Sequence, residues 1–233
     1  MAAAEQRSVI VTGSSRGIGR AVAERLAADG FAVTVDYAGN RQAADEAVAA
    51  IVAGGGRAIA VQADVSQAGD VTRLFDETEQ AFGRVDALVN NAGVMSMTPI
   101  AETDDATFDR MFATNVRGTF LTLRAAAKRL RDGGSDRQLF HERHALAVAG
   151  LRHLLRDEGG GRSVHVDSGE GTARPVDHRE RRRAGDSGDG VVFSEGKSDE
   201  QIARLANLNQ SGQLGEPQDI ARVVSFLLSA NAV

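Results

Sequence analysis

The sequence contains no cysteine and no tryptophan, and only three prolines and one tyrosine among its 233 residues. The absence of cysteine excludes disulfides and thiolate metal sites. No apolar run approaches the roughly 18 residues that a membrane-spanning helix needs. The formal net charge of −5 gives no sign of a nucleic-acid partner, and Met1–Glu5 lacks the basic and apolar regions of a signal peptide. We expect one cytoplasmic domain over residues 1–233, without a membrane or nucleic-acid partner.

A glycine-rich turn follows the first apolar stretch. Val9–Val11 predicts a buried parallel strand, and an amphipathic helix opens at Arg20. Three glycines lie between them: Gly13, Gly17 and Gly19. In such a turn the first glycine permits a tight bend, the second lets the backbone approach a pyrophosphate, and the third lets helix and strand pack closely. The helix N-terminus faces the anion. The pattern therefore predicts a nucleotide-binding turn.

A second polar turn follows a later strand. The run from Val85 predicts a buried strand that ends in the sequence Asn90-Asn91-Ala92-Gly93. Amides and a glycine at the carboxyl end of a strand can line a cofactor crevice, as open α/β sheets do where the strand order reverses. Between the two turns, Ala58–Val65 predicts another strand, with Asp64 near its end. Alternating strands and helices predict an α/β fold with a parallel sheet.

With Thr12 in front, the first turn has the pattern Thr-Gly-x-x-x-Gly-x-Gly. Together with the Asn-Asn-Ala-Gly turn, it resembles the short-chain dehydrogenase/reductase family, and 3-oxoacyl carrier-protein reductases within it. The resemblance covers residues 8–134 and 193–230. It implies a Rossmann-type three-layer α/β/α sandwich with a doubly wound parallel sheet. It also implies an NAD(P)(H)-dependent oxidoreductase that interconverts a small-molecule carbonyl and a secondary alcohol.

The resemblance also implies the residues of the cofactor site. The implied set is Thr12, Gly13, Ser15, Arg16, Gly17, Ile18, Gly19, Asp64, Val65, Asn90, Ala92 and Gly93. In the family, the acid and valine that match Asp64 and Val65 contact the adenine; helix capping is the structural alternative for Asp64. No metal site is expected.

The end of the second predicted strand, Phe31–Tyr37, faces the adenosine ribose. An acid there usually accepts from the 2′-hydroxyl of NAD, whereas arginines favour the 2′-phosphate of NADP. Asp36 favours NAD, while Arg16, Asn40 and Arg41 favour NADP. By resemblance, the acid of NAD-preferring members lies just after Asp36, and Arg16 matches the phosphate-contacting arginine of NADP-preferring members. We expect NADP, with NAD as the alternative.

By the same resemblance, Asn115 holds a water in the family's proton relay. A serine followed by a Tyr-x-x-x-Lys pair should appear within residues 135–192, and this arrangement is absent because the stretch contains no tyrosine and no lysine. Tyr37 is the only tyrosine of the chain, and Lys128 and Lys197 are its only lysines. All five histidines and a dense set of arginines lie within residues 135–192. The apolar residues of this stretch do not recur at the spacing of a helix or of a strand.

The resemblance stops after Gly134 and returns near Phe193, which indicates an out-of-frame translation between them. This hypothesis can be tested by shifting the reading frame. Each new codon then consists of the last two bases of one residue's codon and the first base of the next residue's codon. Leu154-Leu155 then permits tyrosine, and Glu158-Gly159 permits only lysine or arginine, at the spacing of Tyr-x-x-x-Lys. We therefore predict that residues 135–192 are out of frame, and that the chain as given has negligible reductase activity.

Other interpretations stay open. His141, His144 and His153 could bind a metal, although no carboxylate or cysteine spacing supports them, and Arg179–Arg183 lacks the interleaved aromatics of a nucleic-acid patch. For the whole chain, the alternatives are a non-catalytic nucleotide-binding or interaction protein and a product that does not fold.

The sequence stops at Val233, where the family usually adds a strand at a subunit interface. We therefore expect the family's usual homo-oligomer to be weakened.

Overall fold

The computed structural model of this chain describes residues 6–96, 98–139, 164–166 and 216–229. The strands are β1 (Ser8–Val11), β2 (Ala32–Tyr37), β3 (Arg57–Gln62), β4 (Val85–Asn90), β5 (Leu130–Leu139) and β6 (Val164–Val166). The α-helices are α1 (Gly17–Ala28), α2 (Arg41–Ala53), α3 (Ala68–Phe82), α4 (Asp105–Phe112), α5 (Thr119–Arg129) and α6 (Pro217–Leu228). A 3₁₀ turn covers Ile100–Glu102, and a π-helical turn, Ala113–Gly118, joins α4 to α5.

The described strands form one parallel sheet in the order β3-β2-β1-β4-β5-β6. The chain moves outward from β1 to β3 and then returns to place β4 on the other side of β1. The connections that leave β1 and β4 at their carboxyl ends therefore diverge, and a crevice opens between them. With helices on both faces, this arrangement confirms the predicted doubly wound α/β fold.

Each face of the sheet has its own apolar core. Residues of β1 alternate between them, so that Val9 and Val11 enter the first core and Ile10 enters the second. Helices α1, α2 and α6 pack into the first core, and α3 and α5 pack into the second. Burial of a side chain of this size contributes about 1.5–3 kcal/mol relative to exposure. The two cores therefore hold β1, and the turn that follows it, in a fixed position.

Helix α6 joins the first core although it lies far along the chain. Its residues Val224 and Leu228 are buried in the core that also contains α1. Ser225 Oγ donates to Asp29 Oδ2 at 2.5 Å, and Arg7 Nη1 donates to the carbonyl of Leu228 at 3.1 Å. This part of the predicted family-like segment 193–233 thus packs on the amino-terminal half. The rest of that segment lies outside the described residues.

The structure differs from the sequence prediction in three details. The third predicted strand, Ala58–Val65, ends earlier, at Gln62. The sequence pattern predicts two separate helices, Asp104–Phe112 and Val116–Leu130; in the structure they are parts of one helical segment, which the π turn makes continuous. Residues 135–139, which show no period in the sequence, extend β5 beside β4. Residues 140–163 and 167–192 of the predicted out-of-frame stretch lie outside the described residues.

No helix in the described part of the chain has the length and apolar character needed to cross a membrane.

Arg129 links α5 to α3. Its guanidinium donates to both carboxylate oxygens of Glu79, at 2.9 and 2.6 Å, and to Asp76 Oδ1 at 2.6 Å. It also lies over the ring of Phe75, 5.4 Å from the centroid. The side chain of Arg129 is 22% exposed, so water screens these contacts only in part. Arg129 therefore stabilises the packing of the two helices on the second core.

We expect Arg129→Met to lower the free energy of unfolding by about 1–2 kcal/mol, because it removes charge-assisted hydrogen bonds and leaves two carboxylates without their partner. Urea unfolding measures the loss. The matched control is Arg41→Met, which breaks an exposed pair with Asp45 and should change stability little. Equal effects of the two substitutions would contradict the role given to Arg129.

Candidate nucleotide-binding site

The glycine turn lies between β1 and α1, at the point where the strand order reverses. Gly13 and Gly17 have φ angles of 62° and 57°, in the left-handed region that favours glycine. A Cβ atom on Gly13 would lie 2.8 Å from Cα of Ala92, and one on Gly19 would lie 2.4 Å from Nδ2 of Asn91. Such contacts are shorter than atoms tolerate. The turn therefore packs so closely on the loop after β4 that only glycine fits.

Thr12 joins the two loops through a buried hydroxyl. Its Oγ1 accepts the backbone N–H groups of Asn91 and Ala92, both at 3.0 Å. In return, Asn91 Nδ2 donates to the carbonyls of Thr12 and Gly13, at 2.9 and 3.1 Å. The N-cap residue of α1, Arg16, makes no side-chain cap. The N–H groups of the first turn of α1 are therefore available to an anion above this cradle.

Asp36, near the carboxyl end of β2, lies beneath the glycine turn and is 1% exposed. Its Oδ2 accepts the N–H of Gly13 at 2.9 Å. Ser14 N–H donates to the Asp36 carbonyl at 2.9 Å, and Ser14 Oγ accepts the Asp36 N–H at 3.1 Å. Among the described residues, Asp36 Oδ1 has no hydrogen-bond partner. The carboxyl group thus points inward, toward the turn, and not toward a ribose in the crevice.

This environment changes the acidity of Asp36. Burial raises the pKa of the carboxyl group to about 7, the hydrogen bond from Gly13 opposes the rise, and the negative charges of Asp64 and Asp70 add to it. Burial favours the neutral carboxyl group, because no cation among the described residues compensates for the lost hydration.

Arg16, Asn40 and Arg41, the three residues predicted to favour NADP, have different environments. Asn40 caps α2, since its Oδ1 accepts the N–H of Ala43 at 3.0 Å. Arg41 pairs with Asp45 at 3.3 Å on the exposed face of α2. The exposed side chain of Arg16 makes no hydrogen bond or ion pair to the part of the chain that the structure describes. Arg16 is therefore the cation of this group that is free to meet a ligand.

The turn after β3 carries Asp64 and Val65 at the same edge of the sheet. Asp64 Oδ1 accepts the N–H of Ser66 at 2.9 Å, and the N–H of Asp64 donates to Asp70 Oδ2 at 2.9 Å. The N-cap residue of α3 is Gln67, so Asp64 shapes the turn and does not occupy the cap position. Val65 is 5% exposed.

Asn115 lies in the π turn and is 8% exposed. Its amide pairs with both backbone groups of Val94: Oδ1 accepts the N–H at 2.9 Å, and Nδ2 donates to the carbonyl at 2.8 Å. Thr119 Oγ1 donates to the Asn115 carbonyl at 2.8 Å. The residue predicted to hold a relay water therefore fixes the loop after β4, with its side-chain amide and its carbonyl both engaged.

Asn90 ends β4 and turns toward α5. Thr122 Oγ1 donates to its Oδ1 at 2.6 Å, and its Nδ2 has no hydrogen-bond partner among the described residues. The two adjacent asparagines thus have different positions: Asn90 lies under α5, and Asn91 forms the cradle with Thr12.

The comparison with known proteins agrees with this geometry. Residues 7–137 match the short chain dehydrogenase family. The chain is 36% identical to an uncharacterised oxidoreductase of Methylorubrum extorquens, over 100% of this chain and 94% of that protein. The chain belongs to the short-chain dehydrogenase family.

Solved structures of the family have the same fold. A short-chain dehydrogenase/reductase from Serratia marcescens is similar with a TM-score of 0.80 at 28% identity, over 97% of this chain and 91% of the other. The angucycline C-6 ketoreductase LanV, solved with bound NADP, is similar with a TM-score of 0.76 at 30% identity, over 97% of this chain and 90% of the other. The resemblance predicted from the two turns is therefore confirmed.

The structure of this short-chain dehydrogenase brings part of the predicted cofactor set together. Thr12, Gly13, Gly19 and Ala92 meet in the cradle, while Ser15 is half-buried and Ile18 packs partly against the first core. The predicted set omits Asn91, which makes the cradle's side-chain contacts. An amide beside a glycine turn is a usable signal for such a role, but the sequence does not indicate which of two adjacent amides turns inward.

Tyr37 and Lys128 do not form the pair that the family's proton transfer requires. Tyr37 is 4% exposed and lies in the first core. Lys128 is exposed near the end of α5, which packs on the opposite face of the sheet. Lys197 lies outside the described residues. In the described part of the chain, no group of three or more histidine or carboxylate side chains is placed to hold a metal ion.

The raised pKa of Asp36 predicts a dependence of stability on pH. Between about pH 4 and about pH 7 the folded chain keeps a proton on Asp36 that the unfolded chain has lost, so stability falls as pH rises through this window. We expect Asp36→Asn to remove this decline in urea-unfolding midpoints measured from pH 4.5 to 7.5. Asp45→Asn, on an exposed helix face, is the control and should keep the decline. A decline of equal size in Asp36→Asn would contradict the assignment.

Proposed function

We propose that this chain binds NADP(H) in the cradle formed by the glycine turn, Thr12 and Asn91. The cradle carries the proposal, because Cβ atoms on Gly13 and Gly19 would collide with its walls and because the N-terminus of α1 opens above it. These features fit a pyrophosphate. The adenosine then lies toward the ends of β2 and β3, and the nicotinamide lies toward β4 and β5.

The residues at the end of β2 support NADP over NAD. Asp36 is turned inward to Gly13, and the next residue, where NAD-preferring members have their acid, is Tyr37 with its side chain in the core. The exposed guanidinium of Arg16 lies at the start of α1 without a partner in the described chain. A guanidinium binds phosphate with two parallel hydrogen bonds, which suits a 2′-phosphate. The NADP bound to the related LanV is consistent with this choice.

We expect Arg16→Ala to weaken NADPH binding by about 10-fold, since it removes charge-assisted hydrogen bonds to the 2′-phosphate, and to leave NADH binding nearly unchanged. Fluorescence titration of both nucleotides measures the two affinities. Arg20→Ala is the matched control, because Arg20 lies one turn later in α1 and pairs with Glu24 at 2.7 Å. If Arg16→Ala weakened NADPH and NADH equally, Arg16 would not select the 2′-phosphate.

For the protein whose reading frame is restored between codons 134 and 193, we propose that the reaction is reduction of a carbonyl to a secondary alcohol. The bound cofactor supplies a hydride to the carbonyl carbon. The protein must deliver a proton to the oxygen, which in the family falls to a tyrosine assisted by lysine and serine. Tyr37 is buried on the face of the sheet opposite Lys128, so neither serves this step. We therefore propose that the chain as given binds the cofactor without turnover.

An out-of-frame stretch explains the missing residues. The family match ends at residue 137, close to the proposed entry into the wrong frame after Gly134. Helix α6 lies beyond the proposed return near Phe193 and packs on α1. The other frame permits Tyr-x-x-x-Lys between these points. The cytoplasmic location stays a prediction from the sequence.

We expect the purified chain to bind NADPH. In the presence of ketones and 3-oxoacyl thioesters, it should oxidise NADPH no faster than the Gly17→Asp variant, which gives the background rate. A gene in which the frame is restored between codons 134 and 193 should encode an active reductase. The same restored gene with phenylalanine at its new tyrosine codon is the matched control and should be inactive.

Two results would contradict these proposals. Turnover by the chain as given, above the Gly17→Asp background, would refute the loss of chemistry. Failure to bind NADPH would refute the nucleotide site. If resequencing of the coding DNA shows no frame error and NADPH still binds, the chain is a non-catalytic nucleotide-binding protein, which is the second candidate function.

A further inference from the structure

The π turn, Ala113–Gly118, lies between two loops that border the proposed cofactor site. One is the turn of residues 64–67 after β3, and the other is the loop of residues 91–96 after β4. Both follow carboxyl ends of strands in the same sheet. The π turn contacts each of them, through different residues.

Arg117 and Gly118 contact the turn after β3. Arg117 Nη1 donates to the carbonyl of Ser66. A Cβ atom on Gly118 would lie 2.7 Å from Cγ2 of Val65, so the helix backbone approaches this side chain as closely as a glycine permits. Val65 is β-branched and 5% exposed, and it has little freedom to move aside. The π turn therefore supports both the backbone and the side chain of the turn after β3.

Asn115 contacts the loop after β4. Its amide donates to the carbonyl of Val94 and accepts the Val94 N–H, so that both backbone polar groups of Val94 are held. Within the π turn, the Asn115 carbonyl also accepts from Thr119 Oγ1. Asn115 and Gly118 are both buried.

We propose that the π turn fixes the spacing between the two ends of the cofactor site, and that Arg117 is a positioning residue for the adenosine end. The inference rests on the nucleotide-binding function proposed above. Because Arg117 holds the carbonyl of Ser66, it acts on the ligand through the turn of residues 64–67. Its removal leaves the cradle around Thr12 intact and loosens the turn beside the adenosine.

The test uses the full chain and adenosine 2′,5′-bisphosphate, a probe that contains the adenosine end and no nicotinamide. We expect Arg117→Met to raise the Kd of this probe by about 3- to 10-fold, the factor that corresponds to one lost hydrogen bond. Arg117→Lys keeps a donor and should restore part of the affinity. Gly118→Ala, which displaces Val65, should also weaken the probe.

The matched control is Arg124→Met. Arg124 lies in α5, seven residues after Arg117, and its guanidinium stacks on Phe120 at 5.2 Å without contacting the turn after β3. We expect Arg124→Met to bind the probe as the wild type does. The melting temperatures of Arg117→Met and Arg124→Met without ligand should also agree, which separates positioning from general destabilisation.

Each outcome decides between the proposals. If the wild type binds neither NADPH nor the bisphosphate, the proposed nucleotide-binding function fails. If the wild type binds both and Arg117→Met binds the bisphosphate equally well, the inference about Arg117 is overturned and the proposed function stands. Equal losses of affinity in Arg117→Met and Arg124→Met would also overturn the inference.

Discussion

The hydrogen bonds between Thr12 and Asn91 are the contacts on which the proposed site depends. The Thr12 hydroxyl accepts two backbone N–H groups from the loop after β4, while the Asn91 amide returns two bonds to the glycine turn. These bonds connect the carboxyl ends of β1 and β4, which are neighbours in space although almost eighty residues separate Thr12 from Asn91 in the chain. The two apolar cores hold β1 and β4 in place as neighbours, so that the two loops meet. The site is therefore built into the fold, and the glycines follow from how closely the loops approach.

Buried polar groups around this contact distinguish the two sides of the site. On the β2 side, the carboxyl group of Asp36 holds the glycine turn, and the exposed side chain of Arg16 lies at the start of α1. On the β4 side, Asn115 holds the loop that would border the nicotinamide. The geometry of the proposed site is thus supplied by residues 8–122. The chemistry of proton transfer depends on residues that the family places later in the chain, within the stretch whose composition changes abruptly.

Much of the fold could be predicted from the sequence because its signals are local. The apolar β-branched runs and the spacing of Gly13, Gly17 and Gly19 depend only on neighbouring residues. The direction of a side chain depends on distant packing. The sequence therefore counts Asp36 in favour of NAD, against the NADP that we expect from the whole pattern, and does not show that its carboxyl group points to Gly13. For the same reason the predicted site omits Asn91. The sequence also does not predict the π turn, because the gap between the two predicted helices does not show that a turn of wider pitch joins them.

The packing of α6 on α1 has a consequence for synthesis of the chain. Helix α1 ends at Ala28, and the residues that cover part of its apolar face begin at Pro217. At the usual rates of translation, about 5–20 residues per second, the ribosome needs roughly 10 to 40 s to make the intervening chain. During that interval the nascent chain lacks the helix that covers this side of α1 in the folded protein. Chaperones that recognise exposed apolar surface therefore have an opportunity to bind α1 before the last segment leaves the exit tunnel.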